Sequence, residues 1–162
     1  MTRMKTALLA GATSIALALT FNSPAMAGTE VIKGLSCLTG KLDMLATTKK
    51  DLGWAWSSNF TWYAKDNPKR NVAGKCVGSG GLTGGKYETA PFRCKVLTAD
   101  GSTYMTKGTA NRKSMKGIIY GGTGSFKGVS GTISGGAPVK LPAEKGMFAA
   151  CREEEGTWIM PD

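Results

Sequence analysis

The four cysteines carry the most reactive side chains of this sequence: Cys37, Cys76, Cys94 and Cys151. No two of them have the C-x₂₋₄-C spacing of a zinc site, and an even number in a chain with an export signal favours two disulfides. Three pairings are open, and spacing alone does not choose among them. We favour Cys76–Cys94, because both lie in neighbouring strand-like segments separated by a glycine-rich turn. That choice leaves Cys37–Cys151.

Histidine is absent from the chain. This excludes Ser-His-Asp and Cys-His nucleophilic sites, imidazole acid–base catalysis and histidine-ligated metals. The densest carboxylate cluster is Glu153-Glu154-Glu155, which we interpret as a polar turn. The alternative is a carboxyl with a raised pKa or a calcium site, which would have at most two ligands because three adjacent residues of a strand cannot all face one way. The sequence therefore identifies no catalytic residue, no metal site and no cofactor, and it favours a binding protein over an enzyme.

Large aromatic side chains recur at every second position in the segment 52–62. This period predicts a long half-buried strand, or two shorter ones. One face of it carries Trp54, Trp56, Phe60 and Trp62, interrupted only by Ser58. Such rings either pack a core or line a cavity for an apolar or planar ligand, and in a small barrel the two surfaces are the same. These four residues are therefore the candidate ligand-binding wall.

Basic residues exceed acidic ones, and the chain has a formal net charge of +10. They cluster around two expected turns, one with Lys65, Lys69, Arg70 and Lys75 and the other with Arg112, Lys113 and Lys116. Solvated turns explain such clusters, and binding to an anionic envelope surface is the functional alternative. Nucleic acid is not an expected partner, because no alternation of aromatic and basic residues marks a stacking groove.

The first 27 residues have the pattern of a secretory signal peptide. Arg3 and Lys5 precede an apolar run from 8 to 19, and Ala25-Met26-Ala27 has the small residues that signal peptidase reads. The run is shorter than the ~20 residues of a membrane-spanning helix, and no later segment has the length and apolarity of one. We expect cleavage after Ala27, residues 28–162 as a single domain, and a mature protein in the periplasm or secreted.

Short alternating segments separated by turn residues predict an all-β domain. Strands are expected at 92–98, 103–108, 115–120, 139–141, 147–151 and 157–160, in addition to those at 52–62 and 72–77. About eight antiparallel strands in one small domain favour an up-and-down β-barrel or a sandwich. The segment 28–50 differs, because Leu35, Leu38, Leu42 and Leu45 have near-helical spacing and predict a short amphipathic helix.

Glycines alternate with single apolar residues in the segment 121–136, a pattern that suits a tightly curved pair of barrel strands. Gly121-Gly122-Thr123-Gly124-Ser125-Phe126-Lys127-Gly128, with Gly131 after it, is similar to the GGTG-x-F-x-G-x-x-G signature of the allene oxide cyclase and dirigent barrel superfamily. Small bacterial exported proteins also resemble this pattern. The resemblance implies an eight-stranded antiparallel barrel whose interior holds an apolar molecule, and it carries no catalytic residue across.

These observations predict an exported, disulfide-stapled β-barrel that binds a small apolar molecule without covalent chemistry. Two other functions fit the sequence. One is a cofactor-free isomerase or cyclase that works in the same cavity. The other is an interaction protein that uses its basic surface on the cell envelope.

Overall fold

The regular structure of residues 28–161 is almost entirely β-sheet. The computed structural model describes residues 28–161, so the predicted signal segment 1–27 lies outside them. The described part contains ten strands: β1 (Gly28–Ala46), β2 (Leu52–Ala64), β3 (Val72–Thr83), β4 (Lys86–Tyr87), β5 (Ala90–Leu97), β6 (Thr103–Ala110), β7 (Met115–Tyr120), β8 (Ser130–Gly135), β9 (Val139–Leu141) and β10 (Met147–Met160). Its helical elements are the 3-10 turns Pro68–Arg70 and Gly124–Phe126, and no helix in residues 28–161 is long and apolar enough to cross a membrane.

Eight of these strands close into an antiparallel barrel, which confirms the predicted fold class. The order around the barrel is β1-β2-β3-β5-β6-β7-β8-β10, and β10 pairs back onto β1. This closing pair, called the seam below, runs from Gly28 opposite Met160 to Lys41 opposite Met147. The short strands β4 and β9 pair with β3 and β10. Closure gives each of the eight strands two neighbours, so none of them is a free sheet edge.

The segment 28–46 is strand β1, and the helix predicted from its leucines is wrong. Leu38 and Leu42 line the barrel interior, whereas Leu35 and Leu45 lie outside with 38% and 83% exposure. β1 pairs with β10 on one side and with β2 on the other. The leucine spacing fits both a helix and a strand, and long-range pairing decides between them.

The glycine-rich segment 121–136 is not the strand pair that its spacing predicts. Only Ser130–Gly135 is a strand, and residues 121–129 connect β7 to β8. Gly121, Gly124 and Gly128 have φ of +62°, +58° and +80°. This left-handed backbone is costly for residues that have a Cβ atom. Glycine at these positions therefore allows the tight connection between β7 and β8.

Asp100 ties this connection to the turn between β5 and β6. Its carboxylate accepts hydrogen bonds from the Thr98 hydroxyl at 2.5 Å, the Ser102 amide at 3.0 Å and the Ser125 hydroxyl at 2.6 Å. These bonds, led by that of Ser125, hold the pKa of Asp100 well below its usual range because they favour the charged form. The connection is thereby fixed at one end of the barrel.

Apolar side chains fill the barrel at that end. Its core consists of eight buried residues: Ile32, Trp62, Val72, Val96, Tyr104, Ile119, Val129 and Trp158. Phe126, from the β7–β8 connection, packs on them with its ring centroid 5.1 Å from that of Tyr104 and 5.3 Å from that of Trp158. We call this the closed end. The opposite end, which carries the turns at 47–51, 84–85 and 111–114, is the open end.

Candidate ligand-binding cavity

A cavity of about 260 Å³ occupies the barrel interior, from the closed-end core to the open end. The four aromatic residues of the predicted wall all line it: Trp54, Trp56, Phe60 and Trp62. Trp62 lies at the closed end, where it is 4% exposed and packs against Trp158. Trp54 and Trp56 lie toward the open end and pack against Tyr87 and Phe148. The aromatic face therefore extends along the cavity from floor to mouth.

The cavity reaches solvent at the open end. Its exposed lining residues are Tyr87 and Asn111, and both lie at that end. The Arg112 guanidinium is 5.3 Å from the centre of the Tyr87 ring, and the Trp54 ring centroid is also 5.3 Å from it. Because a cation is attracted to an aromatic face, these side chains form an ordered part of the rim.

Glycines in β3 make room for the aromatic rings of β2. The register places a glycine opposite each of three rings: Gly80 opposite Trp54, Gly78 opposite Trp56 and Gly74 opposite Phe60. A Cβ atom at any of these glycines would overlap the ring facing it. The rings therefore lie against the neighbouring strand, which leaves space in the interior that a close-packed core would fill.

Two charged side chains inside the barrel, Arg152 and Glu154, were not predicted from the sequence. Because the segment 147–160 is one continuous strand, the turn predicted at Glu153-Glu154-Glu155 is wrong. Glu153 and Glu155 are exposed, whereas Glu154 and Arg152 both line the cavity. The period of two that continues along this segment would have identified them, but the acidic run obscures it.

Burial changes the ionisation of both groups. It raises the pKa of Glu154 to about 7, against the opposing effects of Arg152 and the Ser36 hydroxyl. Burial lowers the pKa of Arg152, and the nearby Glu154 and Tyr87 partly offset this change. The pKa of Tyr104 is raised by burial and by the charge of Glu154. At neutral pH the cavity therefore holds a carboxyl group close to half-protonation, near an arginine.

Two buried nitrogen donors of the cavity wall have no hydrogen-bond partner among the described residues. They are Nε1 of Trp62 and Nη1 of Arg152. The Trp158 indole faces the Tyr104 hydroxyl. Arg152 also makes no ion pair within residues 28–161. Since buried donors in folded proteins are nearly always satisfied, the donors of Trp62 and Arg152 are candidates for contact with a bound molecule.

Two disulfides are present, in the pairing that the sequence favours. Cys76–Cys94 joins β3 to β5, is buried and lines the cavity. Cys37–Cys151 joins β1 to β10 across the seam. It lies on the outer face, because the residues on either side of Cys37 line the interior. One bridge therefore supports the cavity wall, and the other fastens the seam.

Two of the four cations in the first basic cluster predicted from the sequence are ion-paired in the structure. Arg70 forms ion pairs with Glu30 and Asp66, and the Lys65 ammonium lies 2.8 Å from a carboxylate oxygen of Glu153. These acidic partners are distant in sequence or placed across a turn, so the local clustering of lysines and arginines did not reveal them.

Another group of basic residues lies on the outer wall of β3, β5, β6 and β7, four strands without any Asp or Glu. This group, called the basic wall below, comprises five exposed residues: Lys75, Arg93, Lys95, Lys107 and Lys116. Lys75 is directly opposite Lys95, and Arg93 is directly opposite Lys107. Because like charges directly opposite each other destabilise a sheet, the stability of the fold does not explain this arrangement.

Comparison with known proteins supports the fold. No protein-family model matches the chain, and no curated protein matches its sequence. Two solved structures resemble it, those of the pterocarpan synthase dirigent proteins PsPTS1 and GePTS1. Their TM-scores are 0.50 and 0.51 at 16% and 15% sequence identity, over 83% of this chain and 97% and 92% of theirs. The chain therefore has the barrel fold of dirigent proteins, which its motif at 121–128 implies.

Proposed function

We propose that the barrel binds a small, largely apolar molecule non-covalently in its cavity. The observation that carries the proposal is the cavity itself, about 260 Å³ in volume, with aromatic walls and an opening at one end. Protein interiors rarely contain voids much larger than a water molecule, and an apolar void of about 150 Å³ is enough to bind benzene. Aromatic walls stabilise a planar apolar molecule by contact and by removing it from water.

Filling the cavity tests this proposal. Ala150 lines the cavity on β10, so Ala150→Phe places a ring inside it. Ala55 is exposed on the outside of β2, and Ala55→Phe is the matched control. We expect the neutral fluorescent probe N-phenyl-1-naphthylamine to bind the wild type and the control but not Ala150→Phe, with folding checked by circular dichroism. Equal binding to all three proteins would refute binding in the cavity.

We further propose that the protein is exported and meets its ligand in the periplasm or outside the cell. The signal-like segment 1–27 and the two disulfides support this, since disulfides persist in oxidising compartments. Native mass spectrometry of the protein from the exported fraction of its own host is the test. We expect a chain that begins at Gly28 with a copurifying small molecule. An uncleaved chain confined to the cytoplasm would contradict export.

Attachment to an anionic lipid surface through the basic wall is a second candidate function. The wall has five exposed cations on four adjacent strands without an acidic residue. Val77, Leu97 and Ile118 are also exposed on these strands, at 56%, 50% and 45%. Cations attract anionic headgroups, and apolar side chains enter the boundary beneath them. A hydrated acidic polymer would use the charges but not the apolar residues.

Vesicle sedimentation tests this attachment. We expect binding to phosphatidylglycerol vesicles but not to phosphatidylcholine vesicles, and binding should weaken as salt screens the charges. The pair Lys75→Gln and Lys95→Gln should reduce it. The pair Lys49→Gln and Lys50→Gln removes the same charge from an exposed turn and should not. An equal loss in both pairs would show that net charge alone is responsible.

A further inference from the structure

The unpartnered donors on the cavity wall indicate which chemical group its ligand carries. Trp62 and Trp158 are each 4% exposed, and their ring centroids are 6.4 Å apart. Ser36 of β1 lies opposite Trp62 of β2 on one side and opposite Arg152 of β10 on the other. The donors of Trp62 and Arg152 therefore belong to one wall, formed by three neighbouring strands around the seam.

Among residues 28–161, Trp62 Nε1 and Arg152 Nη1 have no hydrogen-bond partner, whereas the Trp158 indole faces the Tyr104 hydroxyl. Glu154 is the cavity carboxyl nearest to Arg152 along the strand, yet the two do not form an ion pair. A partly buried guanidinium that makes no direct ion pair is costly, because its buried nitrogen loses hydration without a compensating partner. A wholly apolar ligand would leave the donors of Trp62 and Arg152 unsatisfied. A ligand with an anionic oxygen acceptor would satisfy them and supply the missing counter-charge.

We propose that the ligand is a small carboxylic acid with an aromatic or alicyclic body, and that its carboxylate accepts hydrogen bonds from Arg152 and Trp62. The inference rests on the proposed cavity-binding function and names its ligand class. The body of the ligand lies toward the open end, where Trp54 and Trp56 provide the apolar surface. The acid group lies against the wall formed by β1, β2 and β10, at Arg152 and Trp62.

Glu154 makes binding of such an acid depend on pH. The ionisable residues that line the cavity are Glu154 and Arg152 on β10, Tyr104 on β6 and Tyr87 on β4. A second carboxylate beside Glu154 is repelled when Glu154 is ionised and accepted when it is protonated. Because the pKa of Glu154 is about 7, affinity for the anion should fall as the pH rises through neutrality. Tyr104 keeps its proton over this range, since its pKa is raised.

Two probes with the same apolar body test the ligand class by calorimetry on the wild-type protein. These are 2-naphthoic acid, which is ionised near neutral pH, and 2-naphthamide, which is neutral. Hydrogen bonds to a charged group are stronger than neutral ones, so at pH 6 we expect the acid to bind at least about tenfold more tightly than the amide. The ratio of the two affinities should be smaller at pH 8 than at pH 6. Equal affinities, or a preference that does not change with pH, would overturn the proposal.

Substitutions then assign the effect to residues. Arg152→Gln should bind the two probes equally, and Glu154→Gln should prefer the acid to the same degree at both pH values. Glu155→Gln removes the same charge from the exposed face of β10 and should behave as wild type. An Arg152→Gln protein that keeps the preference for the acid would overturn the proposal. If a variant fails to fold, the wild-type comparison of the two probes decides alone.

The failure of this proposal and that of the proposed function give different results. Binding of N-phenyl-1-naphthylamine without any preference for the acid would leave a cavity for neutral apolar molecules and remove the carboxylate site. Absence of binding by every probe would remove both.

Discussion

Replacing Glu154 with glutamine should change how the stability of the protein depends on pH. The carboxyl has a pKa of about 7 in the folded barrel and an ordinary value of 4.5. At about 1.4 kcal/mol for each pKa unit, this difference corresponds to about 3 kcal/mol. The folded state holds the proton more tightly, so this stabilisation is complete below pH 4.5 and is lost as the pH rises through about 7. Glutamine does not titrate, so Glu154→Gln should gain about 3 kcal/mol relative to wild type over that range.

Urea unfolding followed by circular dichroism, with the disulfides intact, measures this difference at a series of pH values from about 4.5 to 8. Glu155→Gln is the matched control, because Glu155 is exposed on the same strand. Its stability should run parallel to that of the wild type. Asp100 acts in the opposite direction, but only as the pH falls below its ordinary value of 3.8 and outside this window. Parallel curves for wild type and Glu154→Gln would show that Glu154 is already ionised in the acid range, and the argument from burial would fail.

Three further predictions concern the closed end, and the free energy of unfolding measures each. Phe126→Ala should cost about 3 kcal/mol, since it removes a ring packed on the core, and a negligible loss would show that the ring does not seal this end. Asp100→Ala should cost about 1–2 kcal/mol, because it removes the acceptor of several hydrogen bonds that fix the β7–β8 connection; an unchanged stability would contradict that role. Gly121→Ala should cost about 1 kcal/mol for its left-handed φ, and Gly122→Ala should cost more, since its Cβ would also collide with the Phe126 carbonyl oxygen. Equal costs for the two glycines would refute the collision.

Alternation with a period of two predicts a strand correctly where its two faces differ clearly from each other in polarity. The aromatic face of β2 is such a case, and β7 begins and ends at Met115 and Tyr120 as the sequence indicates. The pattern is misleading in β1, where leucine spacing fits a helix as well as a strand and only pairing across the seam decides. It is also misleading in β10, where Glu153 and Glu155 are outward-facing neighbours of the inward-facing Glu154.

The aromatic wall of the cavity could be predicted, but its polar donors could not. Trp54 and Trp62 are apolar and share one strand, so a local pattern identifies them. Arg152 and Trp62 lie on the two strands that flank β1, and this arrangement depends on long-range pairing that no local sequence window contains. The same holds for the basic wall, whose opposed pair Lys75 and Lys95 comes from two strands separated by a long hairpin.

The seam determines the order in which this barrel can form. β1 is the first described strand and β10 the last, and the bridge across them joins residues 114 positions apart. The other neighbouring strands mostly follow one another along the chain, so they can pair soon after they are synthesised. Until residues 147–160 are in place, the outer edge of β1 has no partner and is a template for pairing with another chain. The folding intermediate most prone to aggregation is therefore one in which every strand except β10 has paired.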